Sequence, residues 1–435
     1  MDPNANRAER TDRTRDGALR IAVFTAVYAP IASGVALGVH QRVRSLLERG
    51  HTVLLIHPEI DDQFPEQVRS PRMPGLKELR VYPRFSAWAF PARPVPFFKG
   101  APEPLNHRIW SDTAVLARFK PDIVVVEEAA QLRGVCSLLL GGYGRPVGIE
   151  YGREAGVPVI SLFHTDWVSY AASYLGSWFV PKMRPCLTAF VRQFVNAYTM
   201  TYFYSPQMLN KYRQLFGIHK VALLAFQGID CNRFHPDNIR FDPIPGDGRP
   251  LVLFVGRLAR EKNVARLLDV FEKVLHVVPR AHLAIVGSGP EADNLRRRAA
   301  HLGDSVTFWG EAWGDVLLGW YARADLFLNC SVTEVGPMTN LEALASGTPV
   351  VVAAAGGSLD QIINGHNGYL IPPDDIDNFA AQVTALLTDP VKRRVLGQQA
   401  RALVALLDWN SCMQRFEDTL YSHVRSSASG VVGRE

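Results

Sequence analysis

Short apolar runs of strand length recur along this chain, each followed by a loop and then by a stripe of helical period. The series runs twice, with a break in the middle. The first series opens with a run at 21–27 and a loop at 28–34. A helix follows, its stripe formed by Val39, Val43, Leu46 and Leu47 and its end marked by Gly50. A strand at 51–56 completes a strand–helix–strand unit. Further strands are expected at 123–126, 157–163 and 201–205, the last closing the first series. The proline-, arginine- and aromatic-rich stretch 71–110 reads as an irregular excursion, and 167–198 as helical.

A linker carrying prolines and glycines occupies 234–249. The second series then places strands at 251–255, 282–286, 306–309, 326–329 and 349–353. Its helices are expected at 264–277, where Leu267, Leu268, Phe271 and Val274 share a face, and at 339–345, 361–364 and 378–387. Continuous apolar strands alternating with helices specify parallel sheets covered on both faces. The expected fold class is therefore α/β, two Rossmann-like doubly wound domains, for which 435 residues suffice. The bounds are a disordered tail at 1–18, a first domain at 19–235, a second at 246–405 and a final helix at 406–425. Two such domains on one linker set a cleft between the carboxyl edges of their sheets, where open α/β folds bind ligands.

Composition narrows the function classes. A net charge of +5 is mild for this length and argues against a nucleic-acid partner, while tolerating an anionic substrate or membrane surface. Cys136, Cys186, Cys231, Cys330 and Cys412 are scattered and form no Cys-x-x-Cys pair, so neither a disulfide framework nor a zinc site is expected, and a cytoplasmic setting fits. The semi-apolar run 21–39 is interrupted by Pro30, Ser33 and Gly34 and reads as part of a domain, not as a membrane anchor.

Two segments carry the chemistry. Arg257 and Lys262 follow the strand 251–255 at its carboxyl end. A guanidinium fork and a compact ammonium there suit a diphosphate, and they stabilise the charge that develops as it departs. Glu334 and Glu342 stand eight positions apart, around a Gly336-Pro337 turn and the start of a helix at Thr339-Asn340, whose free N–H groups can meet phosphate. Cations for phosphates and carboxylates for sugar hydroxyls describe a nucleotide sugar. Gly34, after Ser33 in the first strand–helix loop, allows backbone to approach the diphosphate from the other side. His164 and Asp166 end the strand 157–163 at the expected cleft. Gly287 opens a Gly-Ser-Gly-Pro turn after 282–286, and Trp309-Gly310-Glu311 closes the next strand.

These segments resemble the retaining glycosyltransferases of family 4, which have the GT-B fold. The pattern G-R-L-x-x-E-K is complete at 256–262, and E-x(7)-E spans 334–342. R-F-K-P-D-I at 118–123, F-H-T at 163–165, and G-I-D and F-H-P within 228–236 are similar to the sulfoquinovosyl and glycosyl-diacylglycerol synthases, and the likeness spans roughly 21–421.

The resemblance implies that the final helix crosses back to the first domain. It implies that Arg257 and Lys262 stabilise the leaving group, that Glu342 holds the ribose and that Glu334 contacts the transferred sugar. It also sets His164 near the reacting sugar and Gly287 near the base. Asp166, Gly336, Pro337, Met338 and Thr339 are further substrate-binding candidates. Relatives often read E-T-F-G or E-G where this chain has Glu334-Val335-Gly336-Pro337, so one backbone donor is lost at the proline.

The implied activity is metal-independent transfer of a hexose from a UDP- or GDP-sugar, without a cofactor, by front-face substitution, to a sugar or lipid acceptor bound by the first domain. Trp167, Tyr170, Tyr174, Trp178 and Phe179 beside Lys182, Arg184 and Arg192, and Trp88, Phe90, Phe97 and Phe98 beside Lys99, suit peripheral contact with the inner face of a membrane. A nucleotide-sugar epimerase and a non-catalytic nucleotide-sugar binder are the alternatives. A dinucleotide oxidoreductase is disfavoured, because no G-x-G-x-x-G follows the first strand.

Overall fold

The computed structural model describes residues 17–429 apart from 32, 65, 67–68, 96–97, 105–113, 128–146, 167, 170–184, 186–187, 190, 225–227 and 239–247. The first sheet comprises β1 (Arg20–Thr25), β2 (Thr52–Glu59), β3 (Phe85–Val95), β4 (Phe98–Pro104), β5 (Ile123–Glu127), β6 (Val159–Phe163), β7 (Met200–Phe203) and β8 (Val221–Leu223). Its spatial order is β4-β3-β2-β1-β5-β6-β7-β8, parallel throughout except for the β3–β4 pair. The second sheet comprises β9 (Leu251–Val255), β10 (His282–Val286), β11 (Val306–Gly310), β12 (Leu326–Asn329), β13 (Val350–Ala353) and β14 (Gly368–Ile371). It is fully parallel, in the order β11-β10-β9-β12-β13-β14.

Both sheets reverse winding direction once, between β1 and β5 in the first and between β9 and β12 in the second. Crevices for ligands open at such reversals. Helices cover both faces of each sheet and form two large apolar clusters in each domain, with a smaller one beside β6 and β7 in the first. The helix Trp409–Ser429 returns to the first domain. Its residues Cys412, Met413, Phe416, Leu420 and Val424, at helical spacing, pack with Ile21, Val39, Val43 and Leu46. At its start, Trp409 Nε1 donates to Ser45 Oγ at 2.8 Å.

Three readings of the sequence need correction. The stretch 71–110 is not irregular, since Phe85–Val95 pairs with β2 from Val53–Phe85 to Glu59–Pro91. Its prolines hide an alternating strand that lies near the sheet edge, where a missing donor is tolerated. The first sheet ends not at 201–205 but at β8, a strand of only three residues. The expected helix 361–364 is instead Ser358–Gln361, and Gly365 at φ 75° turns the chain into β14.

Most of the aromatic–basic segment 167–184, Phe97 and the side chains of Phe98 and Lys99 lie outside the described residues. Of the rest, Phe90 is buried in a core cluster with Trp88 packed against it, and Arg192 Nε donates to the Phe216 carbonyl, so these three serve packing. Among the described residues, no helix is long and apolar enough to cross a membrane. No group of three or more His, Cys, Asp or Glu among them could hold a metal ion. Cys231, Cys330 and Cys412 are free thiols, whereas Cys136 and Cys186 lie outside the described residues.

Candidate active site

At the carboxyl end of β9 the chain turns at Gly256 and enters a single 3-10 turn, Arg260–Lys262. Asn263, at φ 54°, ends that turn and starts the helix Val264–Leu275. The turn presents two cations differently. Arg257 is held by Glu261, a buried carboxylate within the same turn. Lys262 reaches across to Glu334, after β12, and the ion pair joins the two motifs. The cations therefore sit at the β9–β12 reversal, each already oriented by an acid.

The loop after β12 is fixed from behind. Gly357 donates its backbone N–H to the Glu334 carbonyl at 2.8 Å, and a Cβ at Gly357 would lie 2.1 Å from the Val335 carbonyl oxygen, so only glycine permits this approach. Pro337 precedes the helix Met338–Ala345 without a side-chain cap; its carbonyl accepts from the Asn340 N–H at 3.2 Å, and Met338 and Thr339 line the cleft. Glu342, within that helix, is buried and accepts a 2.6 Å hydrogen bond from the Tyr321 hydroxyl. Burial raises its carboxyl above the ordinary range, with Tyr321 and then Arg233 opposing the rise only in part. Burial also drives the Tyr321 phenol well up, so it stays a donor.

The Gly287-Ser288-Gly289-Pro290 turn lies directly on the Gly256–Leu258 turn. Gly287 has φ 142°, and a Cβ there would fall 1.9 Å from the Gly256 carbonyl oxygen. Close backbone packing is therefore one reason for this glycine. Ser288 Oγ donates to Glu311 at 2.6 Å, and Trp313 Nε1 donates to the other Glu311 oxygen at 3.3 Å.

The first domain supplies the opposite wall. Ser33 caps the helix Gly34–Glu48 by accepting from the Ala36 N–H at 3.0 Å, which places Gly34 at the cleft. His164 follows β6. Its Nε2 lies 2.5 Å from Glu127 Oε2 and 3.2 Å from the Tyr204 hydroxyl. Glu127 is fully buried at the end of β5 and accepts from Arg42 Nε at 2.8 Å and Arg42 Nη2 at 3.2 Å. Burial alone would raise the Glu127 carboxyl, but Arg42 and His164 outweigh it and hold it down at about 2.

One cleft of about 970 Å³ runs between the domains. It is lined by Gly34 and His164 from the first, and by Arg257, Lys262, Gly287, Glu334, Gly336, Pro337, Met338, Thr339 and Glu342 from the second. Asp166 is not among the lining residues. It is 2% exposed and is taken up by Lys211, by the Tyr212 hydroxyl at 3.1 Å and by the Ser169 hydroxyl at 2.6 Å. Its position after β6 suggested the cleft, but two residues of the helix Pro206–Phe216 claim it for packing.

Sequence reading missed Glu127, Arg42, Glu261 and Tyr321 as parts of the site. It also missed that Val335 buries into a first-domain cluster with Phe163, Phe203 and Met208, and that Ser205 bonds Asp360 across the domains. The loop after β12 is thereby pinned to the opposite wall.

Comparison with known proteins agrees with this arrangement. The Glycosyltransferase Family 4 model matches residues 32–233, and the model of Glycosyl transferases group 1 matches 236–403. The chain is 28% identical over 417 residues to the sulfoquinovosyl transferase SQD2 of Arabidopsis thaliana, covering 93% of this chain and 73% of that protein. It is 29% identical over 402 residues to a GDP-mannose-dependent alpha-mannosyltransferase of Mycolicibacterium smegmatis, covering 90% and 94%. It is 28% identical over 351 residues to the alpha-monoglucosyldiacylglycerol synthase of Streptococcus pneumoniae, covering 77% and 70%. Among solved structures, the sucrose-phosphate synthase of Thermosynechococcus elongatus superposes with a TM-score of 0.70 at 21% identity, covering 94% of this chain and 100% of that one, which shows a shared GT-B fold. A first domain matched by one glycosyltransferase model, a second matched by another and a cleft between them make this chain a glycosyltransferase of the GT-B fold, similar to family 4.

Proposed function

We propose that this protein is a retaining, metal-independent hexosyltransferase that moves a sugar from a UDP- or GDP-sugar to an acceptor hydroxyl. Arg257 and Lys262 grip the diphosphate, and they hold it more tightly as the glycosidic bond breaks and charge collects on the leaving oxygen. Glu342 accepts hydrogen bonds from the ribose hydroxyls, Glu334 from the transferred sugar, and the first N–H groups of the helix Met338–Ala345 face phosphate. Gly34 and His164 close the other side. The acceptor oxygen attacks the anomeric carbon on the face from which the diphosphate leaves, and its proton passes to the departing phosphate oxygen. Glycolipid and glycerolipid hydroxyls are the favoured acceptors, a reading supported by the diacylglycerol-directed relative.

The observation that carries this reading is the pairing of Lys262 with Glu334, beside Arg257 and facing Gly34 and His164 across one cleft. In the absence of donor the two side chains neutralise each other. The arriving diphosphate takes the ammonium and the sugar hydroxyls take the carboxylate.

The test has two stages. A thermal-shift screen of nucleotide sugars identifies the donor, because a ligand that prefers the folded state raises the Tm. Transfer from that donor to a panel of diacylglycerol and glycolipid acceptors is then followed by NMR of the product. An anomeric configuration equal to the donor's is expected, and an inverted product refutes the retaining mechanism. Conversion of the donor to an epimer without acceptor would instead identify an epimerase.

A further inference from the structure

The first-domain wall contains an ion pair that the transfer chemistry above does not use. β5 is an apolar run, Ile123–Val126, that ends in a fully buried carboxylate, Glu127. Arg42, itself buried, meets both Glu127 oxygens. A buried ion pair of this kind gains little stability over an apolar pair of the same shape, because desolvation offsets the attraction. Its geometry has another consequence. Glu127 Oε2 also meets His164 Nε2 at 2.5 Å, and the Tyr204 hydroxyl lies 3.2 Å from the same nitrogen. Nε2 is thus engaged inside the domain. No described residue hydrogen-bonds to Nδ1, the other polar atom of the ring, and His164 lines the cleft.

We propose that Glu127, clamped by Arg42, is a positioning residue that keeps the His164 proton on Nε2 and leaves Nδ1 as an acceptor for a hydroxyl of the bound sugar. The inference rests on the reading of His164 as a sugar contact and adds what sets its tautomer. A carboxylate accepts only, so a neutral imidazole beside it must present Nε2–H, and Nδ1 must then carry the lone pair. Arg42 has a separate part. By balancing the Glu127 charge, it lets the carboxylate orient the ring without setting a net negative charge beside the reacting sugar. The groups facing the imidazole are Glu127 and Tyr204, with Arg42 behind them.

Removing Glu127 alone strands a buried guanidinium, so the informative comparison uses two double variants of equal charge. Arg42→Met with Glu127→Leu removes the carboxylate that accepts from Nε2–H and leaves the longer contact with the Tyr204 hydroxyl. Arg42→Met with Glu127→Gln removes the same charges but retains an amide oxygen that can accept a hydrogen bond from Nε2–H. The first is expected to lower kcat on the order of ten-fold or more with little change in donor KM, as misplacement of a contact group does. The second is expected to recover most of that loss. Equal kcat in the two doubles, with His164→Ala impaired, overturns the positioning role. A silent His164→Ala beside an inactive Arg257→Ala also overturns it, and traces the fault to the reading of His164, not to Glu127. An independent measurement is the 15N spectrum of histidine-labelled wild type, with His164 assigned by its loss in His164→Ala. Protonated Nε2 and unprotonated Nδ1 are expected, and the opposite tautomer overturns the proposal whether or not the doubles fold.

Discussion

Glu127 and Glu342 are both buried carboxylates near the cleft, one in each domain, yet their surroundings push them in opposite directions. Glu127 has a guanidinium on both oxygens and an imidazole beside it, and its carboxyl is held down at about 2. Glu342 receives a hydroxyl from Tyr321, with Arg233 a weaker influence, and burial raises it. The first acid is matched by protein charge and faces inward. The second lines the cleft, where the proposed donor would bring its ribose hydroxyls. Partners, more than burial, separate an acid that builds the site from one that uses it.

The largest effect expected from this contrast is on stability. Glu127→Leu leaves Arg42 buried without its counter-ion and should cost about 3 to 5 kcal/mol, read by chemical denaturation. The Arg42→Met with Glu127→Leu double should recover most of that cost. A single variant as stable as wild type would show that the pair is not the charge-matched unit described. Next comes Arg257→Ala, expected to lower turnover about a hundred-fold or more, equivalent to about 2.7 kcal/mol or more, as loss of an oriented charge donor does. Wild-type kinetics there would remove the diphosphate clamp from the mechanism.

Glu342→Gln should act on the two properties in opposite senses. Donor binding should weaken by about ten-fold, from loss of a charged hydrogen-bond acceptor. The Tm at neutral pH should rise, because the variant no longer buries a charge. The folded-state carboxyl of Glu342 lies above its unfolded value, so the stability of the protonated form is present below about 4.5 and is lost as pH rises through the higher folded value. The Tm gain of the variant should therefore be present at pH 7.5 and absent at pH 4. Glu127 has the reverse sign. Its contribution is present above about 4.5 and is lost as pH falls from there toward about 2. A variant gain that does not change with pH would contradict the assigned shift of Glu342.

Much of this was legible in the sequence, for a physical reason. Parallel strands buried on both faces are continuous apolar runs, so 21–27, 251–255 and 282–286 announced themselves and aligned two series of strands around one linker. Arg257, Lys262, Glu334 and Glu342 lie in two short motifs at strand ends, where spacing along the chain stands in for spacing in the fold. Strand Phe85–Val95 was obscured by Pro91 and Pro94, and β8 is too short to show a period.

Partners far apart in sequence were not legible. Glu127 looks like an ordinary charge after a strand until Arg42 and His164 arrive from other elements. Asp166 looked like a cleft acid until Lys211 and Tyr212 claimed it. Val335 looked like a departure in a donor loop, and its burial against Phe163 and Phe203 shows what a branched apolar side chain does there.

The central claim is that Arg257 and Lys262 hold a nucleoside diphosphate. Titration calorimetry of UDP and of GDP into wild type and into the Arg257→Ala, Lys262→Ala double variant tests it most directly. One of the two nucleotides should bind wild type, and its affinity should fall about a hundred-fold or more in the folded double, from loss of two charge-assisted contacts. Equal binding by wild type and double, or no binding of either nucleotide to wild type, would contradict the account.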